Sequence, residues 1–363
     1  MKRRNFLTQA ALGTTAAALA TPALAGSHSA TKTMTIVSTW GRDSPGLGTS
    51  AQRFCERVDN LSNGAIKTEY FAAGERVGAF DVFDEVASGN SQAYIAADYY
   101  FTGKHPALAF FTSVPFGLTH SEHRAWIQFG GGQELWDKVS GAFGIKPLNV
   151  GATGTQAGGW FNKEINSPDD LKGLKMRIPG LGGNVLVKLG ASTVSLPGPQ
   201  IYENLVAGSI DATEWVGPWN DYFPKFYEAA KYYYTGGFHE PGSDIALGLN
   251  AEWWNSLSPW EQSIIEAAAS LEASASYEEA IAMNGIYLNK LVNEHGVQVR
   301  NFSDETFDAF YAAWEEVLEE TRAHSELTAE VADAYFAALE LQGGMLAKFE
   351  TLFINQRNRV MGL

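Results

Sequence analysis

Residues 167–178 run Ser-Pro-Asp-Asp-Leu-Lys-Gly-Leu-Lys-Met-Arg-Ile and break on Pro179-Gly180. Ser-Pro-Asp-Asp opens a capped turn that closes at Gly173. Beyond it, Leu174, Met176 and Ile178 alternate with Lys175 and Arg177, the pattern of a half-buried strand. Arg177 falls at the strand's C-terminal end, the edge that faces the ligand crevice in an open α/β sheet. Its planar fork suits a carboxylate. An arginine in a surface ion pair fits the same pattern equally well.

Other chemistries lack their residues. The chain has no G-x-x-x-x-G-K-[ST], no G-x-S-x-G and no H-E-x-x-H, and Gly180-Leu181-Gly182-Gly183 lacks the third glycine of a dinucleotide fingerprint. The lone Cys55 excludes an intrachain disulfide and a cysteine-based zinc site. His120 and His123 stand three apart at an expected helix start, which predicts a solvated helix terminus rather than a metal site.

The elements that must position Arg177 come in two rounds. Strands are expected at Thr33–Ser38, Ile66–Phe71 and Gln92–Ala96, with helices at Ser50–Leu61 and Phe80–Ser88, an alternation that predicts a parallel sheet with covering helices. The pattern restarts with strands near 149–153, 158–161, 174–178, 192–194 and 212–215, and helices over 183–189 and 201–207. The last third is helical. Ser258-Pro259-Trp260-Glu261 is a capping box, and nothing but Gly285 interrupts the helix-forming run to Gly296. More than 35 residues is about 55 Å at 1.5 Å per residue, long enough to span two lobes. Ser303 caps another helix to about 325, and a third runs from Thr328 with Gly343-Gly344 expected to interrupt it.

The full chain has 363 residues with 26 Lys+Arg against 41 Asp+Glu, a net charge of −15. An acidic surface argues against nucleic acid and anionic lipid as partners. The first 25 residues contain Lys2, Arg3 and Arg4, a weakly apolar stretch and Ala23-Leu24-Ala25, a small-x-small cleavage site. The paired arginines followed by Phe-Leu indicate a twin-arginine export signal, with cleavage after Ala25 and a periplasmic destination. Removing that segment, which holds three basic and no acidic residues, takes the charge from −15 to −18.

Taken together, the opening Thr35–Trp40 strand, the 167–180 motif, Glu203–Trp215 and the long helices resemble the periplasmic solute-binding proteins of TRAP (tripartite, ATP-independent) transporters. The resemblance covers most of the chain beyond residue 25. It implies an α/β, two-lobed Venus-flytrap fold with a long C-terminal helix spanning both lobes. Lobe I would comprise 33–150 and about 241–280, and lobe II about 151–240 and 297–325. The spanning helix would cover about 258–296, and 328–363 would form a helical extension that joins two copies.

Thr155-Gln156-Ala157-Gly158-Gly159-Trp160 and Thr213-Glu214-Trp215-Val216-Gly217-Pro218 are similar to the branch that binds 2-oxoacids with a metal ion. By that resemblance Arg177 holds the substrate carboxylate, while Gln156, the Glu214 carboxylate and the Trp215 main-chain carbonyl hold the cation. Tyr100, Phe101, Trp215, Asn220, Phe223 and Glu240 are further candidates for the pocket wall. All-oxygen coordination suits Na⁺, with Ca²⁺ the alternative, and one protein carboxylate in the shell favours Na⁺. Taken singly, Gln156 and Glu214 could also form an ordinary surface pair.

The implied function is to bind a small, pyruvate-like 2-oxoacid and deliver it to the transporter's membrane subunits, without catalysis. An ABC-type organic-acid binding protein and a secreted metal-dependent enzyme using Glu214 and Glu240 are the alternatives. For the enzyme, the sequence offers no free general base beyond them. Val331, Tyr335, Leu339 and Leu346 share one helix face, and a homodimer through the C-terminal helices is expected.

Overall fold

A computed structural model of the chain describes residues 31–363. The export signal expected over residues 1–25 lies outside the described residues. Two sheets organise the rest. The first has the order β2-β1-β3-β10-β4 and the second β11-β9-β5-β8-β6-β7.

Lobe I begins with β1 (Lys32–Ser38), α1 (Gly48–Leu61), β2 (Ile66–Phe71), α2 (Val82–Ala87) and β3 (Ala93–Ala96). β1 pairs in parallel with β2 and β3. Their apolar residues face a core built on Ile36, Phe54, Val58 and Tyr94, all fully buried. Two helices follow, α3 (His120–Phe129) and α4 (Gly132–Gly141), and then β4 (Ile145–Ala152). The chain crosses to lobe II, laying down β5 (Gly159–Phe161), β6 (Lys175–Arg177), α5 (Gly180–Lys188), β7 (Ser192–Val194), α6 (Gly198–Val206), β8 (Ala212–Thr213), α7 (Pro218–Tyr222), α8 (Phe226–Ala229) and β9 (Tyr232–Tyr234).

It then returns as β10 (Asp244–Asn250), which runs antiparallel to both β3 and β4. The first sheet is therefore mixed rather than parallel. β10 is buried along nearly its whole length, so its sequence Asp-Ile-Ala-Leu-Gly-Leu-Asn shows no alternation to mark a strand.

After α9 (Ala251–Asn255) comes α10 (Pro259–Asn293), 35 residues long and opened by the expected capping box between Ser258 and Glu261. Its first half is fixed to lobe I. Glu272, fully buried, accepts hydrogen bonds from Ser50 at 2.8 Å, Arg53 at 2.9 and 3.0 Å and Arg57 at 2.8 Å, all on α1. Its second half reaches lobe II, where the Asn284 side chain accepts from the Trp219 N–H at 3.0 Å. One rigid rod thus touches both lobes.

β11 (Gln298–Arg300) joins the second sheet, and α11 (Asp304–Arg322) packs on α5. α12 (Glu326–Leu346) returns to lobe I. Val331 and Tyr335 are fully buried there, and the Tyr335 hydroxyl accepts from the Leu118 N–H at 2.7 Å. The face expected to meet a second copy is thus largely spent on the chain's own core. Gly343 and Gly344 do not interrupt α12. Gly343 lies against Glu122, where a Cβ would come within 3.1 Å of the carboxylate, so its small size serves packing. A π-helical stretch, Ala347–Thr351, leads instead into α13 (Leu352–Met361). Leu341, Phe349, Phe353 and Val360 remain exposed along this tail. Among the described residues no helix is long and apolar enough to cross a membrane.

His120 and His123 do begin a helix, behind a Thr119–Glu122 capping box, but the terminus is not solvated. Both rings are buried, with Nδ1 of His120 2.5 Å and Nδ1 of His123 2.7 Å from the two oxygens of Asp244, the first residue of β10. The Asp244 carboxyl is held well below the usual carboxylate range; the two histidines outweigh its burial. The partner arrives more than 120 residues later in the chain, so local spacing could not reveal it.

Candidate functional site

β6 and β8 are parallel neighbours, with Arg177 opposite Thr213, so their C-terminal ends lie on one edge. The next residue, Glu214, donates its N–H to the Arg177 carbonyl at 3.1 Å, which brings the two side chains together. Arg177 is fully buried and its guanidinium is committed on two sides. Nε donates to the Leu196 carbonyl at 3.1 Å, and Nη1 donates to the Glu214 carbonyl at 3.1 Å and to the Glu214 carboxylate. The Trp215 ring lies 5.3 Å from the guanidinium carbon, seated on Gly198, where a Cβ would approach the indole to 2.5 Å. Burial opposes the arginine's charge, but Glu214, Tyr100 and Tyr99 outweigh it and raise its pKa.

Two crossing segments between the lobes supply the opposite wall. Residues 153–158 and 235–243 run against each other: the Gln156 N–H donates to the Glu240 carbonyl at 3.0 Å, and the Gly237 N–H to the Gln156 carbonyl at 3.1 Å. Gly237 is required there, since a Cβ would stand 2.8 Å from the carbonyls of Gln156 and Ala157. Gln156 donates through Nε2 to the Thr153 hydroxyl at 3.1 Å, which turns its Oε1 the other way. Glu240 accepts from Ser243 and, at 3.5 Å, from the Tyr99 hydroxyl.

Glu214, His239 and Glu240 are buried, each offering a ligand atom within 4.8 Å of the others. Nε2 of His239 stands 3.6 Å from Glu214 and 3.9 Å from Glu240. The Glu240 carboxyl is pushed up to about 7, first by burial and then by the negative Glu214.

What this cluster can do follows from the groups left over. Among the described residues, Arg177 Nη2, Gln156 Oε1, Glu214 Oε2, Glu240 Oε1 and both ring nitrogens of His239 are buried without a hydrogen-bond partner. Such groups cost free energy unless something completes them. One carries a spare donor on a fixed cation, and three are acceptor oxygens: the first fits a carboxylate, the others a hard cation.

The main chain adds a fourth acceptor. The Glu214 carbonyl is taken by Arg177 and by the Thr213 hydroxyl, and the Val216 carbonyl by the Ala157 N–H. Among the described residues nothing donates to the carbonyl of Trp215 between them.

The cavity beside these groups is small, about 10 Å³, and is lined by Trp40, Tyr99, Tyr100, Gln156, Trp215 and Ser243, among others.

The residues expected from sequence divide accordingly. Tyr100, Gln156 and Trp215 line this cavity, and Arg177, Glu214 and Glu240 cluster beside it, joined to its wall through the Tyr99 hydroxyl on Glu240. Asn220 and Phe223 line a second, outer cavity at the mouth of the cleft, with Pro45 and Trp40 opposite. There the Asn220 amide donates to the Pro45 carbonyl at 2.6 Å and ties lobe II to lobe I. Phe101 is not in the wall. Its ring packs into lobe I, 4.9 Å from Phe83 and 5.7 Å from Tyr94, and the preceding turn presents Tyr99 to the cavity instead.

His239, Ser243 and Tyr99 were not anticipated. The pairing of a histidine with a glutamate in Thr235-Gly-Gly-Phe-His-Glu-Pro-Gly-Ser243 was the available signal, in a stretch too rich in glycine and proline for any periodicity. The shell therefore has two carboxylates within reach, where one was expected.

A family model for bacterial extracellular solute-binding proteins, family 7, matches residues 36–324. The chain belongs to that family. Within it, a monocarboxylate 2-oxoacid-binding periplasmic protein of a Nostoc species is 40% identical over 317 residues, covering 85% of this chain and 86% of the relative. A TRAP periplasmic solute-binding protein from Pseudoalteromonas atlantica, solved with bound sodium and pyruvate, superposes with a TM-score of 0.87 at 36% identity, covering 90% of this chain and 99% of that one. One from Colwellia psychrerythraea, with calcium and pyruvate, gives 0.87 at 37% identity over the same shares. A Bordetella bronchiseptica TRAP solute-binding protein, described as a dimer with calcium and picolinate in one site, gives 0.90 at 31% identity, covering 92% and 99%. This family-7 protein thus shares the two-lobed α/β fold of TRAP solute-binding proteins, long helix included.

Proposed function

We propose that this family-7 protein is the periplasmic receptor of a TRAP transporter, that it binds a small 2-oxoacid together with a cation, and that it hands the acid to the membrane subunits without altering it. The observation that carries the reading is the set of unpartnered buried groups: one guanidinium N–H of Arg177 together with three acceptor oxygens, on Gln156, Glu214 and Glu240, beside the His239 ring. In this reading Arg177 Nη2 takes the ligand carboxylate. Gln156 Oε1, the Glu214 carboxylate and the Trp215 carbonyl hold the cation, with Glu240 beside them. The cation supplies positive charge that lets an anion enter a site already containing glutamates, and a ligand oxygen on the carbon next to the carboxylate completes its shell.

Na⁺ and Ca²⁺ both match an all-oxygen shell, and the relatives solved with pyruvate hold one or the other. Tyr100 and Trp215 close the wall on the ligand, while Asn220 and Phe223 guard the mouth. A receptor needs no group free to move protons, and in this reading Arg177 and Glu214 are committed to the ligand and the cation. The exposed tail beyond Leu341 is the surface through which two copies would associate, and the amino-terminal segment would direct export. Calorimetric titration of pyruvate in sodium, calcium and choline buffers tests the reading. Binding should require sodium or calcium; equal affinity in choline would refute the cation's role, and pyruvate consumption followed by NMR would refute the absence of catalysis.

A further inference from the structure

Beneath the cation-binding loop lies a carboxylate that the reading above does not use. Asp221, on α7, is fully buried. Its Oδ1 accepts from the Val216 N–H at 3.0 Å, and its Oδ2 accepts from the Trp160 indole N–H at 2.9 Å and the Tyr233 hydroxyl at 3.1 Å. Backbone N–H and indole N–H can only donate, and each engages a different oxygen, so the pocket is built for a group that accepts on both sides.

The Val216 N–H and the Trp215 carbonyl belong to one peptide unit. No cis peptide occurs among the described residues, so the carbonyl points opposite to the N–H. A carboxylate gripping the N–H from below therefore turns the oxygen away from itself, and among the described residues it is the one carbonyl of 214–216 with no donor. When Asp221 is ionised, its charge on the N–H side also polarises the amide and enriches the oxygen in electron density; burial raises its pKa to about 7.

We infer that Asp221 is a positioning residue for the cation: through the Val216 N–H it orients the Trp215 carbonyl toward the cleft and strengthens it as a ligand. The inference rests on the proposed cation-coupled binding, and it assigns to lobe II's core a part in cation affinity. Outer partners that hold metal ligands commonly change metal affinity 10–100-fold when replaced.

A direct test needs no variant. Trp215-Val216 is the only Trp-Val pair in the chain. Protein labelled with ¹³C-carbonyl tryptophan and ¹⁵N-valine therefore gives a single amide-to-carbonyl NMR correlation. With pyruvate present, titrating NaCl should move the carbonyl frequency of that peak, while an equal titration of choline chloride should not. A peak that ignores sodium while pyruvate binding responds to it would overturn the inference and leave the proposed function standing. Pyruvate binding that itself ignores sodium and calcium would overturn the proposed function.

The second arm compares Asp221→Asn with Tyr233→Phe, which removes one hydrogen bond to the same side chain but keeps the Val216 contact. Asp221→Asn should raise the half-saturating sodium concentration for pyruvate binding by about tenfold, with pyruvate affinity at saturating sodium changed less than about twofold. Tyr233→Phe should lower Tm and leave the sodium dependence alone. Equal sodium shifts in the two variants would overturn the positioning role, since they would report general loosening.

Discussion

Replacing Glu214 by glutamine asks whether the cation is there to cancel repulsion. Glu214 and Arg177 form a fully buried contact, and the glutamate's second oxygen is free. A ligand carboxylate on Arg177 Nη2 would stand about 4 Å from the Glu214 carboxylate on Nη1, a repulsion of about 4 kcal/mol at an effective dielectric of 20. Glutamine keeps the size and one acceptor oxygen but removes the charge. It also leaves Arg177 without its anionic partner, which a ligand carboxylate then supplies. Both effects favour cation-free binding.

In choline buffer, Glu214→Gln should therefore bind pyruvate at least about tenfold more tightly than the parent protein, and up to about three decades if the whole 4 kcal/mol is recovered, at 1.4 kcal/mol per decade. Its gain on adding sodium should shrink in step. Isothermal titration of both proteins in matched choline and sodium buffers reads both quantities. If the variant binds no better in choline and keeps the parent's full sodium enhancement, charge cancellation is not what the cation supplies.

Three further predictions concern other parts of the molecule. Arg177→Lys should weaken pyruvate binding by about 1–3 kcal/mol, since an ammonium cannot reach Leu196, Glu214 and the ligand from one plane; unchanged affinity by calorimetry would remove the fork from the argument. Glu240, raised to about 7 by burial and Glu214, should give up a proton when a cation arrives. Titrations in buffers of different ionisation enthalpy should show proton release near pH 6.5 and none at pH 8.5, where the group is already ionised; proton uptake would contradict this. By the same sign, this raised pKa favours the folded protein most below about 4.5, and that contribution is lost as pH rises through 7. Deleting residues 347–363 should convert a dimer to a monomer in light scattering while pyruvate binding persists, and a full-length protein that is monomeric at about 50 μM would refute the tail's role.

Local chemistry made part of the site legible. The alternation around Met176 and the Pro-Gly break set Arg177 at a strand end, and it lies there, although buried where an exposed ion pair was equally admissible. Caps and glycines marked α1, α10 and α11 to within a few residues. What escaped was non-local. β10 enters the sheet between β3 and β4 by a long return from lobe II, and its buried run has the look of any apolar segment. His120 and His123 needed Asp244, and Glu214 needed His239 and Glu240, partners that only the fold delivers. Phe101 and Tyr99 differ by two positions in a 3₁₀ turn, and sequence cannot say which of them faces the cavity.

The crossing segments have a consequence for anyone wishing to retune this receptor. Gln156 and Glu240 sit on the chain's passages between the lobes and hydrogen-bond to one another through their backbones. The recognition elements and two of the chain's crossings between the lobes are thus the same stretch of polypeptide, so a substitution that widens the cavity there also disturbs how the lobes are joined. Selecting such variants for affinity alone would favour jaws that no longer reopen, good sensors but poor couriers. A change at Phe223 on the rim leaves both these crossings and the Asn220–Pro45 link between the lobes in place, and that is where altered selectivity and continued delivery can be sought together.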